Sequence, residues 1–147
     1  MMLFENVILK KDILREFSGY EIKVDESDNG LDIEFTGKGV SALYLRVRED
    51  MTLEFDRWHD NYCKTDDEYE RLLWDIRDIL ENKAYAVSVM TGEHLFISFL
   101  TRAKMNSAEA FIDEDPGGYA SLKKTGGVIK CAFRNESMNK EYIIEKD

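Results

Sequence analysis

The sequence predicts an α+β chain: a mostly antiparallel sheet of about eight strands, with one or two helices packed on one face. Three observations predict it. Apolar residues recur with period two between residues 22 and 55, strung between short polar turns. Residues 65–82 switch to helical spacing. Residues 84–100 then return to strand-like apolar runs. Strands that follow one another through short turns pair antiparallel, and a helix with one apolar stripe buries it against them.

The first element is "MMLFENVILKKDILREF". Leu3, Val7, Leu14 and Phe17, with Ile13 beside them, have mostly helical spacing, while Phe4 to Leu9 also fits a strand. "SGY" at 18–20 ends it. Ile22 and Val24 then open the period of two. After "DESDNG", Leu31, Ile33 and Phe35 alternate with Asp32, Glu34 and Thr36. After "TGKG", Leu43, Leu45 and Val47 alternate with Tyr44, Arg46 and Arg48; after "RED", Leu53 and Phe55 alternate with Thr52, Glu54 and Asp56. Four strands with one apolar face each read as a meander.

The helix that follows starts at a capping box, "TDDE": the Thr65 hydroxyl accepts an amide hydrogen bond and Glu68 reaches back. Tyr69, Leu72, Leu73, Ile76, Ile79 and Leu80 make one continuous stripe, and "ENK" closes the helix near residue 82. "AYAVSVM" and "HLFISFL", linked by "TGE", are apolar on nearly both faces and read as central, covered strands. "GVIKCAF" and "EYIIE", joined by "RNESMN", make a final pair. Between these pairs, residues 101–127 hold the only Pro and four of the nine Gly. The segment reads as a long loop, in which "SAEAFI" forms a short helix or covers the sheet.

A chain of 147 residues fits one domain, residues 1–147. With 44% apolar and 12% aromatic residues it can build a core without disulfides or metal. No apolar run is long enough for a membrane helix, and the N-terminus lacks the pattern of a signal peptide. Two cysteines, Cys63 and Cys131, suit reduced thiols in the cytoplasm, though one disulfide is also compatible with them.

The net charge of −10 is unevenly placed: residues 1–82 carry 21 acidic side chains against 11 Lys and Arg, and residues 83–147 carry 9 of each. Such an acidic chain repels phosphates, which argues against nucleic-acid and anionic-membrane partners. It suits a basic protein partner, and it equally serves solubility.

Chemistry-bearing motifs are sparse. His59 and Cys63, near Asp56 and Asp60, supply zinc-ligand types but no Cys-x-x-Cys and no second His at helical spacing. His94 and Cys131 lie on other elements. Cys63, His59 and Asp56 are also the one local set with nucleophile, base and orienting acid, and Cys63 precedes a helix N-cap. The plainer reading is a partly buried structural Cys63 and a His59 that bonds a carbonyl or an acid. "TGKG" and "KKTGG" do not fit the phosphate-loop pattern, and with "PGG" they read as turns. No catalytic residue, metal or cofactor is assigned.

The helix at 65–82 carries the stronger signal. At 100° per residue, Trp74 lies about 140° from Tyr69, ringed by Glu70, Glu81, Asp67 and Asp78. An aromatic anchor among charges is typical of protein interfaces. The competing expectation is that residues 101–127 fold over this face and bury Trp74.

The run "LYLRVREDMTLEFDRWHDNY", followed by the capped acidic helix and "AYAVSV", covers roughly residues 40–100. It resembles immunity-type proteins that accompany polymorphic toxins in Gram-positive bacteria, in which a strand ends in a motif like Phe55-x-x-Trp58-His59. The resemblance implies a cytoplasmic, single-domain, non-enzymatic protein that neutralises a toxin. No catalytic residues carry over, and Trp58 is expected to pack beneath the helix. The expected contact set for a basic partner is Trp74, Asp67, Glu70, Asp78, Glu81, Asp60 and His59. The alternatives are a small enzyme or ligand-binding domain with a pocket near His59, and a homo-oligomeric structural protein that hides Trp74.

Overall fold

The computed structural model describes residues 4–147, with the side chain of Asp113 set aside. Leu3, expected on the first helical stripe, lies outside the described residues. The class is α+β, as expected, and its nine strands divide between two antiparallel sheets of five and four.

The first sheet is a meander in chain order: β1 (Glu21–Ser27), β2 (Gly30–Thr36), β3 (Leu43–Val47), β4 (Met51–Phe55) and β5 (Trp58–Tyr62). Period two predicts the first four. The fifth follows a two-residue turn, Asp56–Arg57, in which Asp56 takes a left-handed φ of 54°. Asp tolerates that conformation better than most residues. Trp58, Asp60 and Tyr62 pair with Phe55, Leu53 and Met51, so they share the inner face, while His59 and Asn61 point outward opposite Glu54 and Thr52.

Two helices cover the inner face: α1 (Asn6–Glu16) and α2 (Asp66–Leu80). The first helix settles the ambiguity over residues 4–9. It buries Leu9 and Ile13, with Phe17 just beyond, and leaves Val7 at 51% exposure. The stripe is therefore rotated from the one the spacing predicts. On α2, Tyr69, Leu72, Ile76, Ile79 and Leu80 are buried and Leu73 packs at the margin. Asn82, at a left-handed φ of 61°, ends this helix, and the Lys83 and Ala84 amides donate back to the Asp78 carbonyl.

The second sheet has the order β7–β6–β8–β9, from β6 (Tyr85–Thr91), β7 (His94–Thr101), β8 (Gly127–Ala132) and β9 (Lys140–Ile144). β6 is covered on both faces, as expected. β7 is not: it is an edge strand whose first residues, His94, Leu95 and Phe96, are exposed. One face of this sheet, through Ala86, Ala132 and Leu100, joins the core under α2. The other, through Val87, Val89, Ile129 and Cys131, holds a second core with Met105, Phe111 and Leu122.

Residues 101–127 supply that second cover. "SAEAFI" becomes a short 3-10 turn running into α3 (Phe111–Glu114). The expected turn at "PGG" is instead the first turn of α4 (Pro116–Thr125). Asp115 caps it by accepting from the Gly118 amide at 3.0 Å, and Pro at the first position has no amide to waste. A Cβ at Gly118 would sit 2.3 Å from the Asp115 carboxylate, so the cap requires glycine there. "KKTGG" is the end of α4, with Gly126 at a φ of 78°.

Arg134 ties the two sheets together. It is 5% exposed, and its guanidinium donates to the carbonyls of Phe35 (2.7 Å), Thr36 (2.8 Å) and Ser41 (2.7 Å). Burial lowers its pKa from the ordinary value. Nearby, the Asn135 amide donates to Asn82 Oδ1 at 2.8 Å.

Candidate interaction face on helix α2 and the polar seam beside it

The capping Thr65 accepts from the Glu68 amide at 3.4 Å, and Asp66, Asp67 and Glu68 place negative charge where the helix dipole favours it. The buried stripe then fixes the rotation of α2, and that rotation decides what faces solvent. Trp74 is 53% exposed. Residues 101–127 lie over the far face of the second sheet, not over this ring. The Arg77 guanidinium stands 5.2 Å from the Trp74 ring centroid and reaches Glu16 of α1 at 2.6 Å, which holds the ring against the helix surface.

The acids expected around Trp74 fall into two sets. Asp67 and Glu70 are exposed and make no ion pair among the described residues. Asp78 accepts from Arg102 Nε at 2.7 Å, Glu81 meets Lys83 at 3.2 Å, and Asp60 accepts from Arg71 at 2.9 Å. His59 is not brought to this face, since it lies on the outer side of β5 with Asp60 on the inner side. The contact set expected from sequence is therefore one half-exposed ring, two free acids and three acids already paired.

The pairing exposes a feature that the sequence reading missed. Asp75, on the flank of α2, is 7% exposed. Its Oδ2 accepts from the Tyr62 hydroxyl at 2.6 Å and its Oδ1 from Arg102 Nη2 at 2.7 Å. Arg71 stacks 4.1 Å above the Tyr62 ring and binds Asp60 and Glu68. Trp58, Asp60, Arg71, Asp75, Leu100 and Arg102 line a cleft of about 460 Å³ along this seam. Trp58 is buried there, between sheet and helix.

The electrostatics are those of a clamp. Burial, then the bond to Asp75, raises the Tyr62 pKa well above the phenol range. The Glu68 bond raises Arg71, and the Asp75 bond raises Arg102, so both guanidinium groups stay charged. Arg71 in turn holds Glu68 below its ordinary value. Both carboxylates in the cleft are engaged by guanidinium, which leaves neither in the role of a free base. The signal that could have found Asp75 was its phase: an acid bordering the apolar stripe needs a buried partner.

The other candidate chemistry does not assemble. No hydrogen bond joins Asp56, His59 and Cys63 among the described residues, and no group of three or more His, Cys, Asp or Glu is placed to hold a metal ion there. Both cysteines are free: Cys63 is exposed, and Cys131 is buried 3.9 Å from the Met105 sulfur, its thiol pushed up to about 11 by burial. No helix among the described residues is long and apolar enough to cross a membrane.

No family model, curated protein or solved structure matches the chain.

Proposed function

We propose that the chain is a protein-binding module of the immunity type, which docks a basic protein partner through the outward face of α2. The observation that carries this reading is the 53% exposure of Trp74 on a helix whose opposite face is locked in the core. A large ring on a rigid element gives apolar contact at little entropic cost, which is how interface anchors act. Asp67 and Glu70 beside it, with the N-terminal acids of α2, present negative charge to the partner and speed encounter. The seam at Asp75 holds α2 at a fixed angle on the sheet and takes no part in chemistry. The proposed setting is the cytoplasm, where two free thiols persist.

The test is affinity for the basic partner recovered from the native host, measured for the wild-type chain and for Trp74→Ala. A loss of tenfold or more in the variant supports the α2 face. Equal binding by the two proteins overturns it.

A further inference from the structure

Where α2 ends, a second cavity of about 620 Å³ opens between the Asn82 turn, the strand ends of the second sheet and residues 102–106. Its chemistry is the reverse of the rest of this acidic chain. The apolar part of the lining is Tyr85 and Phe133, stacked with ring centroids 4.4 Å apart, with Met105 and Met138 beside them. Tyr85 and Tyr142 each donate a hydroxyl hydrogen bond, to the Ala103 and Met105 carbonyls, which anchors the 102–106 wall. The charged lining is Lys83, Arg102, Lys104 and Lys140 against a single acid, Asp78. Arg102 is occupied by Asp75 and Asp78, and Lys83 by Glu81. Lys104 and Lys140 have no carboxylate partner among the described residues.

We infer that this cavity is a binding site for a small planar aromatic anion, one carrying a phosphate, sulfonate or carboxylate beside its ring system. A volume of this size is that of a small-molecule site, and cationic side chains line it together with an apolar floor. The ring lies on Phe133 and against Met138, whose sulfur favours aromatic edges. The anionic group meets Lys104 and Lys140, whose charges are otherwise unanswered in a chain of net charge −10. A cation would be repelled at this site, and a neutral aromatic would leave both lysines unpaired. The inference is independent of the α2 interface, since Trp74 does not line the cavity.

The probe is anilinonaphthalene sulfonate, with the uncharged phenylnaphthylamine as its partner compound, titrated by fluorescence against the folded chain. The sulfonate should bind saturably at one site per chain. The Lys104→Ser/Lys140→Ser double variant should weaken it about tenfold, the loss of two exposed ion pairs, while leaving the uncharged compound unchanged. Met138→Glu, which puts an acid on the floor, should weaken the sulfonate as well. Trp74→Ala should bind the sulfonate as the wild type does, so the two sites succeed or fail separately. Equal sulfonate binding by the wild type and the double variant, or binding without saturation, overturns the site. Circular dichroism melting checks that each variant is folded.

Discussion

Tyr62 and Asp75 meet across the seam between β5 and α2, the phenol donating to the carboxylate at 2.6 Å with Arg102 on the other oxygen. Removing Asp75 leaves the buried Tyr62 hydroxyl without its partner and Arg102 with Asp78 alone. Asp75→Ala should therefore destabilise the fold by about 3 kcal/mol, and Tyr62→Phe by about 1.5 kcal/mol. Urea unfolding measures both, and the double variant should cost less than the sum. Strict additivity would show that the pair is not coupled.

Trp74 predicts the opposite balance. Trp74→Ala should change stability by no more than about 0.5 kcal/mol, because the ring is half in water. It should weaken partner binding by about 2 kcal/mol or more. A stability loss as large as that at Asp75 would mean that the ring supports the core.

Asp67 and Glu70 lie at the approach to that ring. Reversing both to Lys should slow association with a basic partner and leave dissociation nearly unchanged. Added salt should shrink the difference, since both charges are exposed and screened. Stopped-flow association at two salt concentrations reads the effect, and a rate insensitive to the reversal counts against the acidic face.

Arg134 spans the two sheets with three carbonyl bonds. Arg134→Met should cost about 3 kcal/mol, because buried carbonyls lose a charged donor and only part of that loss is offset by sparing the guanidinium its desolvation. Arg134→Lys should also destabilise, since an ammonium cannot span the three acceptors as a planar fork does. The denaturation midpoint decides between these expectations and a merely spectator arginine.

Alkaline pH should weaken the fold through buried acids that resist ionising. Burial raises Cys131 from 9.0 to about 11 and Tyr85 from 10.0 to about 12. The unfolded chain ionises first, so stability is intact below pH 9 and falls between pH 9 and 12. A Cys131→Ala variant should lose less stability over pH 9–11 than the wild type. At neutral pH, native protein should label at Cys63 with a thiol reagent and at Cys131 only after unfolding.

What could be read beforehand followed simple periodicity. β2 to β4 alternate cleanly, and α2 announces itself by its cap and stripe. β5 was hidden because Asp60 occupies an inward position where the pattern demands an apolar residue. Its partner, Arg71, lies on the next helix, beyond the reach of a local window. α4 was hidden by two glycines in its first turn, which suggest a turn until Asp115 is seen to cap Gly118. The exposure of Trp74 was readable from helix phase. The pairing of Asp78, Glu81 and Asp60 was not, because their cations come from other elements or from past the helix end.

The reach of Arg134 also sets an order of events in time. The five-strand meander joins only consecutive neighbours, so each hairpin can form as soon as its own residues are available, including on a nascent chain. Arg134 bonds carbonyls 93 to 99 residues earlier. Until that residue is synthesised, these carbonyls, two at the end of β2 and one in the loop that follows, lack the guanidinium that they accept from. Arg134 is therefore a late lock: the first sheet can assemble from its own hairpins beforehand, and the segment after β8 closes onto it.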